Sequence, residues 1–236
     1  MQPHPVTFPP MSNAAALTNP YPRGLAGRFI VLDGSEGCGK STQSRLLGER
    51  LTSAGLHPLV VRDPGTTRIG EQIRAILLNP EHQEMGMRCE MLLYMAARAQ
   101  MMKQIIQPAI DAGTVVICDR FISSTLAYQL GGDGLTAAEI TRIGDVAIAG
   151  RWPDLTLILD MPVEHSHARI RREKDRIEQR SLEYFERVRH NYLDQVQMFP
   201  DRYRVIPAGR TAEEVHEDVW TTIVEVIGHE EMSGHQ

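Results

Sequence analysis

The sequence predicts a three-layer α/β domain, in which a five-stranded parallel β-sheet lies between two layers of helices. Five short apolar runs alternate along the chain with longer amphipathic stretches, the pattern of a parallel sheet with crossover helices. The apolarity of these runs is continuous rather than alternating, as expected for strands covered on both faces. The predicted strands are residues 28–33, 57–62, 114–119, 154–160 and 203–208.

The composition narrows the class of protein. The chain has 236 residues, of which 42% are hydrophobic and 23% are charged, as is ordinary for one globular domain. Its net charge of −5 argues against a general nucleic-acid binder, which needs a basic surface to displace counterions. No apolar run approaches the roughly 18 residues that span a bilayer. We therefore expect neither a nucleic-acid partner nor a membrane segment.

The cysteines and the termini complete this outline. Cys38, Cys89 and Cys118 are scattered without metal-ligand spacing, which favours free thiols in a reducing, cytoplasmic compartment. The first 22 residues hold six of the fourteen prolines, and their apolar residues are too isolated for a secretory signal. We expect residues 1–27 to be a disordered extension, residues 28–228 the domain, and residues 229–236 a flexible tail.

A glycine-rich loop follows the first predicted strand. Gly34, Gly39, Lys40 and Ser41 satisfy G-x-x-x-x-G-K-[ST] between a strand and a helix, which predicts a P-loop NTPase fold. Glycines let the backbone approach an anion, the lysine neutralises β- and γ-phosphates, and the hydroxyl is a ligand for Mg²⁺. The alternative, a turn that binds nothing, requires a chance match on the order of one per cent. The expected ATP-binding residues are Gly34, Ser35, Glu36, Gly37, Cys38, Gly39, Lys40, Ser41 and Thr42.

The residues after the third predicted strand bear on the class of nucleotide protein. The D-x-x-G and N-K-x-D motifs of GTPases do not occur in the chain. Instead this strand ends in "CDRF", which puts Asp119 and Arg120 at the edge of the sheet where ligands gather. Asp119 could hold a Mg²⁺-bound water, and Arg120 could clamp a phosphate through its planar fork. The alternative is an Asp–Arg surface pair that caps the next helix.

Four further segments carry a family resemblance: "RDPGTT" (62–67), "LLYMAARAQ" (92–100), "CDRFISSTLAYQ" (118–129) and "DRIEQRSLEYFERVRHNYLD" (175–194). With the glycine loop, they resemble the bacterial thymidylate kinases of the P-loop nucleoside monophosphate kinase family, over about residues 28–228. The resemblance implies that the protein phosphorylates dTMP to dTDP with ATP and Mg²⁺, as a step in dTTP synthesis for DNA replication. It also implies a homodimer packed through helices that flank the sheet.

The resemblance also implies an acceptor site. Arg120 would grip the acceptor phosphate, Tyr94 would stack on the thymine, and Arg98 would read its carbonyl. Residues at i and i+4 share a helix face, so ring and guanidinium can meet one base; the alternative is a core Tyr94 and a solvated Arg98. Tyr128 would pack where a ribose hydroxyl would project and so favour deoxyribose. The other implied substrate-binding residues are Glu36, near the 3′-hydroxyl, Asp63, near the phosphate, and Ser124, Thr125 and Gln129, around the ring.

A basic stretch, residues 169–180, matches the position of the family's mobile lid. It holds six basic and three acidic residues, and by itself it could be a solvated helix end. The variable positions of the glycine loop contain no arginine, yet charge on a transferred phosphoryl group needs a cation besides Lys40. Thymidylate kinases of this kind supply it from the lid. The predicted catalytic residues are Lys40 and Arg120 with the lid arginines Arg171 and Arg176, followed by Arg172 and Arg169.

Two other functions remain open at this point. The same reaction could use a different acceptor, such as dUMP, UMP or another small substrate. Alternatively, a regulatory protein could keep the fold and bind nucleotide without turnover, but it would be expected to lack Lys40, Asp119, Arg120 or the lid cations. No general base stands out, and none is needed, because a phosphate monoester with a second pKa near 6 is mostly dianionic at pH 7.

Overall fold

A computed structural model of the chain describes residues 23–171 and 173–233. For residues 229–233 it describes the backbone alone. The predicted parallel sheet is confirmed, with the strand order β2-β3-β1-β4-β5. The central position of β1 places the glycine loop that follows it in the middle of the sheet edge. The strands are β1 (Phe29–Asp33), β2 (Leu59–Arg62), β3 (Val116–Asp119), β4 (Leu155–Asp160) and β5 (Tyr203–Pro207).

Nine α-helices are present in the described part of the chain, and they connect the strands and flank the sheet. A π-helical turn, Met102–Ile106, joins α3 to α4, and short 3₁₀ turns lie at Arg23–Leu25 and Gly132–Gly134. No described helix combines the length and the apolarity that crossing a membrane requires. The helices are α1 (Lys40–Ser53), α2 (Arg68–Leu78), α3 (Met87–Met101), α4 (Gln107–Asp111), α5 (Ile122–Tyr128), α6 (Ala137–Ala147), α7 (Val163–Ala168), α8 (Leu182–Met198) and α9 (Ala212–Ser233).

Both faces of the central strand are buried, which explains why its apolarity is continuous. Ile30 and Leu32 pack into a core cluster with side chains of α1 and α9. Phe29 and Val31 point the other way, into a second cluster with side chains of α3 and α6. All five residues of β1 are 0% exposed, including the polar Asp33 that ends it. A buried carboxylate needs partners, so the residues around Asp33 define a polar centre at this edge of the sheet.

The described fold begins before Arg28, where the sequence places the domain boundary. Leu25 is 1% exposed and belongs to the core cluster on the α1 and α9 side of the sheet. Burying a leucine is worth about 1.5–3 kcal/mol, which holds the turn at residues 23–27 against the domain. At the other end, α9 continues to Ser233, beyond the predicted limit at residue 228. Residues 1–22, Arg172 and residues 234–236 lie outside the described residues.

Candidate active site

The glycine loop between β1 and α1 forms a compact anion cradle. Gly39 adopts φ 103° immediately before α1, a left-handed conformation that costs glycine little. Gly37 has φ 75°, and a Cβ there would lie 2.1 Å from the carbonyl oxygen of Ser166 on α7, so only glycine fits. Lys40 is 7% exposed, and its Nζ donates to the Ser35 carbonyl at 2.6 Å. The loop therefore holds its ammonium group on its own backbone, at the N-terminus of α1.

Two hard oxygen ligands meet beside this loop. The parallel register aligns Leu32 of β1 with Asp119 of β3, and the Ser41 hydroxyl donates to Asp119 Oδ2 at 2.5 Å. Among the described residues, no group of three histidine, cysteine or acidic side chains could hold a metal. The pair nevertheless fits Mg²⁺, which takes one or two protein oxygens and completes its shell with water and phosphate. Ser41 and Asp119, which were predicted from two separate motifs, therefore lie side by side in the structure.

Arg120 lies at the centre of the site. Its φ of 72° turns the side chain back over the glycine loop. Its guanidinium donates to the Gly34 carbonyl at 3.0 Å, to Glu36 Oε1 at 2.8 Å and to the Ser124 hydroxyl at 3.0 Å. Burial acts to lower the pKa of Arg120, but interactions with Tyr128 and Glu36 raise it, and the net pKa lies well above the usual value. Arg120 is therefore a fixed, permanent cation.

Glu36 joins Arg120 to Tyr128. The Tyr128 hydroxyl donates to Glu36 Oε2, while Arg120 binds the other carboxylate oxygen. Burial and the negative charge of Glu36 raise the pKa of Tyr128 well above its usual value, so this phenol stays protonated. Three residues that the sequence assigns to the acceptor are thus found in one hydrogen-bonded group.

Asp33 and Tyr192 organise this group, and the sequence analysis assigned no role to either. Asp33 accepts hydrogen bonds from the Gly34 amide at 2.9 Å, the Ser124 hydroxyl at 2.8 Å and the Tyr192 hydroxyl at 2.7 Å. It thereby ties the glycine loop to α5 and α8. An acidic residue at the end of a wholly apolar strand is a signal that could have identified Asp33. Tyr192 carries no such signal, since it lies among ordinary polar residues of α8.

Tyr94 and Arg98 differ in how much of each side chain is free. Tyr94 is half-buried at the cavity, and desolvation raises the pKa of its hydroxyl. Arg98 is 1% exposed and forms an ion pair of 2.5 Å with Asp63. Its other N–H groups donate hydrogen bonds to the Phe121 carbonyl, to Met95 Sδ and, at 3.3 Å, to the Thr125 hydroxyl. The solvated Arg98 of the alternative interpretation is wrong, and reading a base would require Arg98 to exchange one of these contacts.

The lid arginines separate into two kinds. Arg171 is exposed and lines the cavity, together with Arg169. Arg176, predicted to be catalytic, is instead 3% exposed and forms an ion pair with Glu90 of α3. Its Nε also donates to the Leu77 carbonyl at 2.8 Å. Arg176 therefore anchors the lid and is not free to reach a phosphate, because a buried carboxylate outside the lid binds it.

One cavity of about 570 Å³ joins these parts. Arg62, Arg74, Asp175, Ile177 and Glu178 also line it, although the sequence analysis assigned none of them to the site. Arg74 looks like an ordinary solvated charge on α2, and no local pattern distinguishes it. The predicted residues that line the cavity are Glu36, Gly37, Lys40, Ser41, Asp63, Tyr94, Arg98, Asp119, Arg120, Ser124, Thr125, Tyr128, Gln129, Arg169 and Arg171.

Comparisons with known proteins identify the family of the chain. A family model described as thymidylate kinase matches residues 32–219. A thymidylate kinase from Pelotomaculum thermopropionicum is 47% identical over 206 residues, which cover 86% of this chain and 95% of that protein. One from Neisseria gonorrhoeae is 44% identical over 81% of this chain and 94% of its own length.

A solved structure gives the same result at the level of the fold. The crystal structure of a thymidylate kinase from Ehrlichia chaffeensis matches with a TM-score of 0.69 and 30% sequence identity. The match covers 83% of this chain and 98% of that structure. The family model and the relatives both extend over most of the chain. The chain belongs to the thymidylate kinase family.

Proposed function

We propose that the protein transfers the γ-phosphoryl group of ATP to dTMP, giving ADP and dTDP, as a step in dTTP synthesis for DNA replication. The observation that carries this proposal is the single cavity in which Lys40 and Ser41 of the glycine loop face the Arg120, Tyr94 and Gln129 side chains. A donor cradle and an aromatic, cationic acceptor site share one space. Its volume of about 570 Å³ is typical of small-molecule sites.

Charge neutralisation and positioning account for the chemistry. Two nucleotides that both carry phosphate repel each other, so the residues must hold them in line and cancel charge. Lys40 supplies a cation at the glycine loop, Arg171 supplies one from the lid, and Arg120 supplies one at the acceptor. Ser41, and Asp119 through a water molecule, would hold Mg²⁺, which when bound supplies charge neutralisation at the phosphate oxygens.

The chain needs no general base for this reaction. A dTMP phosphate is mostly dianionic at pH 7, so its oxygen is already a nucleophile. Glu36, a carboxylate of the predicted acceptor site, is bound by Arg120 and Tyr128. This pairing supports a role in orienting the arginine and the sugar rather than in accepting a proton. We propose that Tyr128 also disfavours ribose, since an extra hydroxyl against its buried ring would lack a partner.

The main rival is a different acceptor in the same site. A panel of dTMP, dUMP, UMP and dCMP, each with ATP and Mg²⁺, tests the proposal through release of the corresponding diphosphate. We expect dTMP to give the highest kcat/KM by a wide margin. If purified protein forms no dTDP, the proposed function is wrong. A nucleotide-binding protein without turnover is disfavoured by the presence of Lys40, Asp119 and Arg120 around one cavity.

We further propose a homodimer in the cytoplasm. Leu92 of α3 is 49% exposed and Val146 of α6 is 80% exposed, and these two helices pack side by side. These two exposed apolar side chains on neighbouring helices support a face that a second copy of the chain would cover. Met91 and Met95 of α3 are buried in the core, so they do not form this face. Sedimentation velocity tests the dimer, and a Val146→Glu variant should sediment as a monomer.

The three cysteines are free, in keeping with a reducing compartment.

A further inference from the structure

Glu90 lies outside the machinery described so far, yet it contacts both the lid and the acceptor site. It is a residue of α3, one helical turn before Tyr94, and it is 0% exposed. One carboxylate oxygen, Oε2, pairs with Arg176 and with Arg180, the latter at 2.7 Å. The other, Oε1, accepts a hydrogen bond of 2.7 Å from Nε2 of Gln129. A single buried carboxylate thus joins two lid arginines to an amide at the cavity.

This contact fixes which end of the Gln129 amide meets the ligand. An ionised carboxylate can only accept hydrogen bonds, so it must face the NH₂ group of the amide. Oε1 of Gln129 then points away from Glu90. Among the residues that the structure describes, no donor contacts this oxygen, and it is not one of the polar atoms sealed from solvent. Gln129 is only 1% exposed but lines the cavity, so its carbonyl oxygen is the end of the amide that is left to meet an acceptor nucleotide there.

We propose that Glu90 is a positioning residue for acceptor specificity. Through Gln129 it presents a hydrogen-bond acceptor to the pyrimidine, which favours a ring whose N3 carries a hydrogen. Thymine and uracil have this N–H group, whereas N3 of cytosine is itself an acceptor and would be repelled. The inference rests on the proposed function, because it places a pyrimidine monophosphate in the cavity. It goes beyond that function by naming the residue that sets the direction of one hydrogen bond.

The test compares dTMP with dCMP as acceptors for the full chain and for a Glu90→Gln variant. An amide at position 90 can donate as well as accept, so Gln129 becomes free to turn its NH₂ toward the ring. We expect the ratio of kcat/KM for dTMP to that for dCMP to fall at least about tenfold. Part of this change is a rise in kcat/KM for dCMP. If both acceptors lose activity by the same factor, Glu90 is only structural and the inference is wrong.

Two controls guard against a trivial effect on folding. Arg180→Met removes one lid contact but leaves Glu90 paired with Arg176 and still accepting from the Gln129 amide, so the acceptor ratio should stay near the wild-type value. Should Glu90→Gln fail to fold, the double variant Glu90→Gln with Arg180→Met retains the native net charge of the cluster. It should show the same fall in the ratio. An unchanged ratio in that folded double variant would overturn the inference.

A double-mutant cycle tests whether Glu90 acts through Gln129. Gln129→Leu removes the amide and leaves the ion pairs of Glu90 intact, and it should lower the dTMP to dCMP ratio by itself. Adding Glu90→Gln to Gln129→Leu should change the ratio no further. If the two effects multiply, Glu90 acts by another route and the inference fails. Wild-type protein that forms no dTDP would contradict the proposed function, whereas normal dTDP formation with an unmoved ratio contradicts only the role of Glu90.

Discussion

The glycine loop (residues 34–42) and the lid (residues 169–180) bring cations to the same cavity by different means. In the loop, Lys40 is held by the Ser35 carbonyl, five residues earlier, and glycine conformations shape the cradle. In the lid, Arg176 and Arg180 are held by Glu90, which is 86 and 90 residues away in the chain. A loop built from its own backbone can be recognised in the sequence, whereas a lid built on a distant carboxylate cannot be fully assigned that way.

The largest expected effect comes from the loop. Lys40→Ala removes the cation nearest the expected β- and γ-phosphates, and we expect kcat to fall about a thousandfold. The thermal midpoint should change little, because among the described residues the Lys40 ammonium bonds only to groups of its own loop. Arg45→Ala, on the exposed side of α1, is the matched control and should keep wild-type kcat, since its ion pair with Glu49 is exposed. If Arg45→Ala lowered kcat as much as Lys40→Ala, the catalytic role assigned to Lys40 would be wrong.

The lid anchor should behave in the opposite way. Arg176→Met leaves Glu90 with only one arginine in a buried site, and breaking such a pair costs about 3–5 kcal/mol. We therefore expect a lower free energy of unfolding in urea, measured by circular dichroism. Arg171→Met is the control, and its stability should match wild type because Arg171 is exposed. Equal stability of the two variants would mean that Arg176 is not an anchor.

The exposed lid cation should affect rate instead of stability. Arg171→Ala removes a positive charge from the cavity, and we expect kcat to fall about a hundredfold at saturating ATP and dTMP. Arg169→Ala, which changes the other exposed arginine of the lid that lines the cavity, should have a smaller effect. Steady-state kinetics of the two variants decide between them. A silent Arg171→Ala beside a strongly impaired Arg169→Ala would reassign the cation to Arg169.

The smallest effect is expected at Cys38, within the loop itself. This thiol is 2% exposed, and burial raises its pKa above the usual value. It therefore stays protonated at neutral pH, and it acts as a small packed side chain whose Sγ accepts a weak contact of 3.6 Å from the Lys40 ammonium. Cys38→Ala should cost about 1 kcal/mol of stability and leave kcat unchanged. Profiles of kcat against pH between about 7 and 9 should superimpose for wild type and Cys38→Ala, because a raised pKa moves thiolate formation to higher pH. A change of kcat at high pH that is present in wild type and absent in Cys38→Ala would contradict this.

The agreement between sequence and structure follows from how local each signal is. Strand positions were predicted to within two residues at each end, because continuous apolarity reflects burial on both faces of a parallel sheet. The pairing of Ser41 with Asp119 also followed, since β3 lies beside β1 and the ends of parallel strands meet at one edge. These features depend on neighbouring residues and on a topology that the alternation of elements already restricts.

The residues whose surroundings could not be predicted depend on partners that are distant in the chain. Arg176 resembles any other basic lid residue until Glu90 of α3 is found beside it. Arg98 resembles a free guanidinium until Asp63 is found to neutralise it in the interior. Leu25 resembles part of a loose terminus until the core cluster that covers it is known. In each case burial decides the role of a side chain, and burial is a property of the folded chain.

The sequence by itself determined the parallel sheet, the phosphate cradle and the family of this protein, because spacing, glycine content and apolar runs act over a few residues. Only the tertiary structure decided which arginines are free cations and which are neutralised anchors. The physical reason is that a guanidinium has the same charge in both roles. Its function is set by whether folding brings a carboxylate within hydrogen-bonding distance, as Glu90 does for Arg176 and as no described residue does for Arg171.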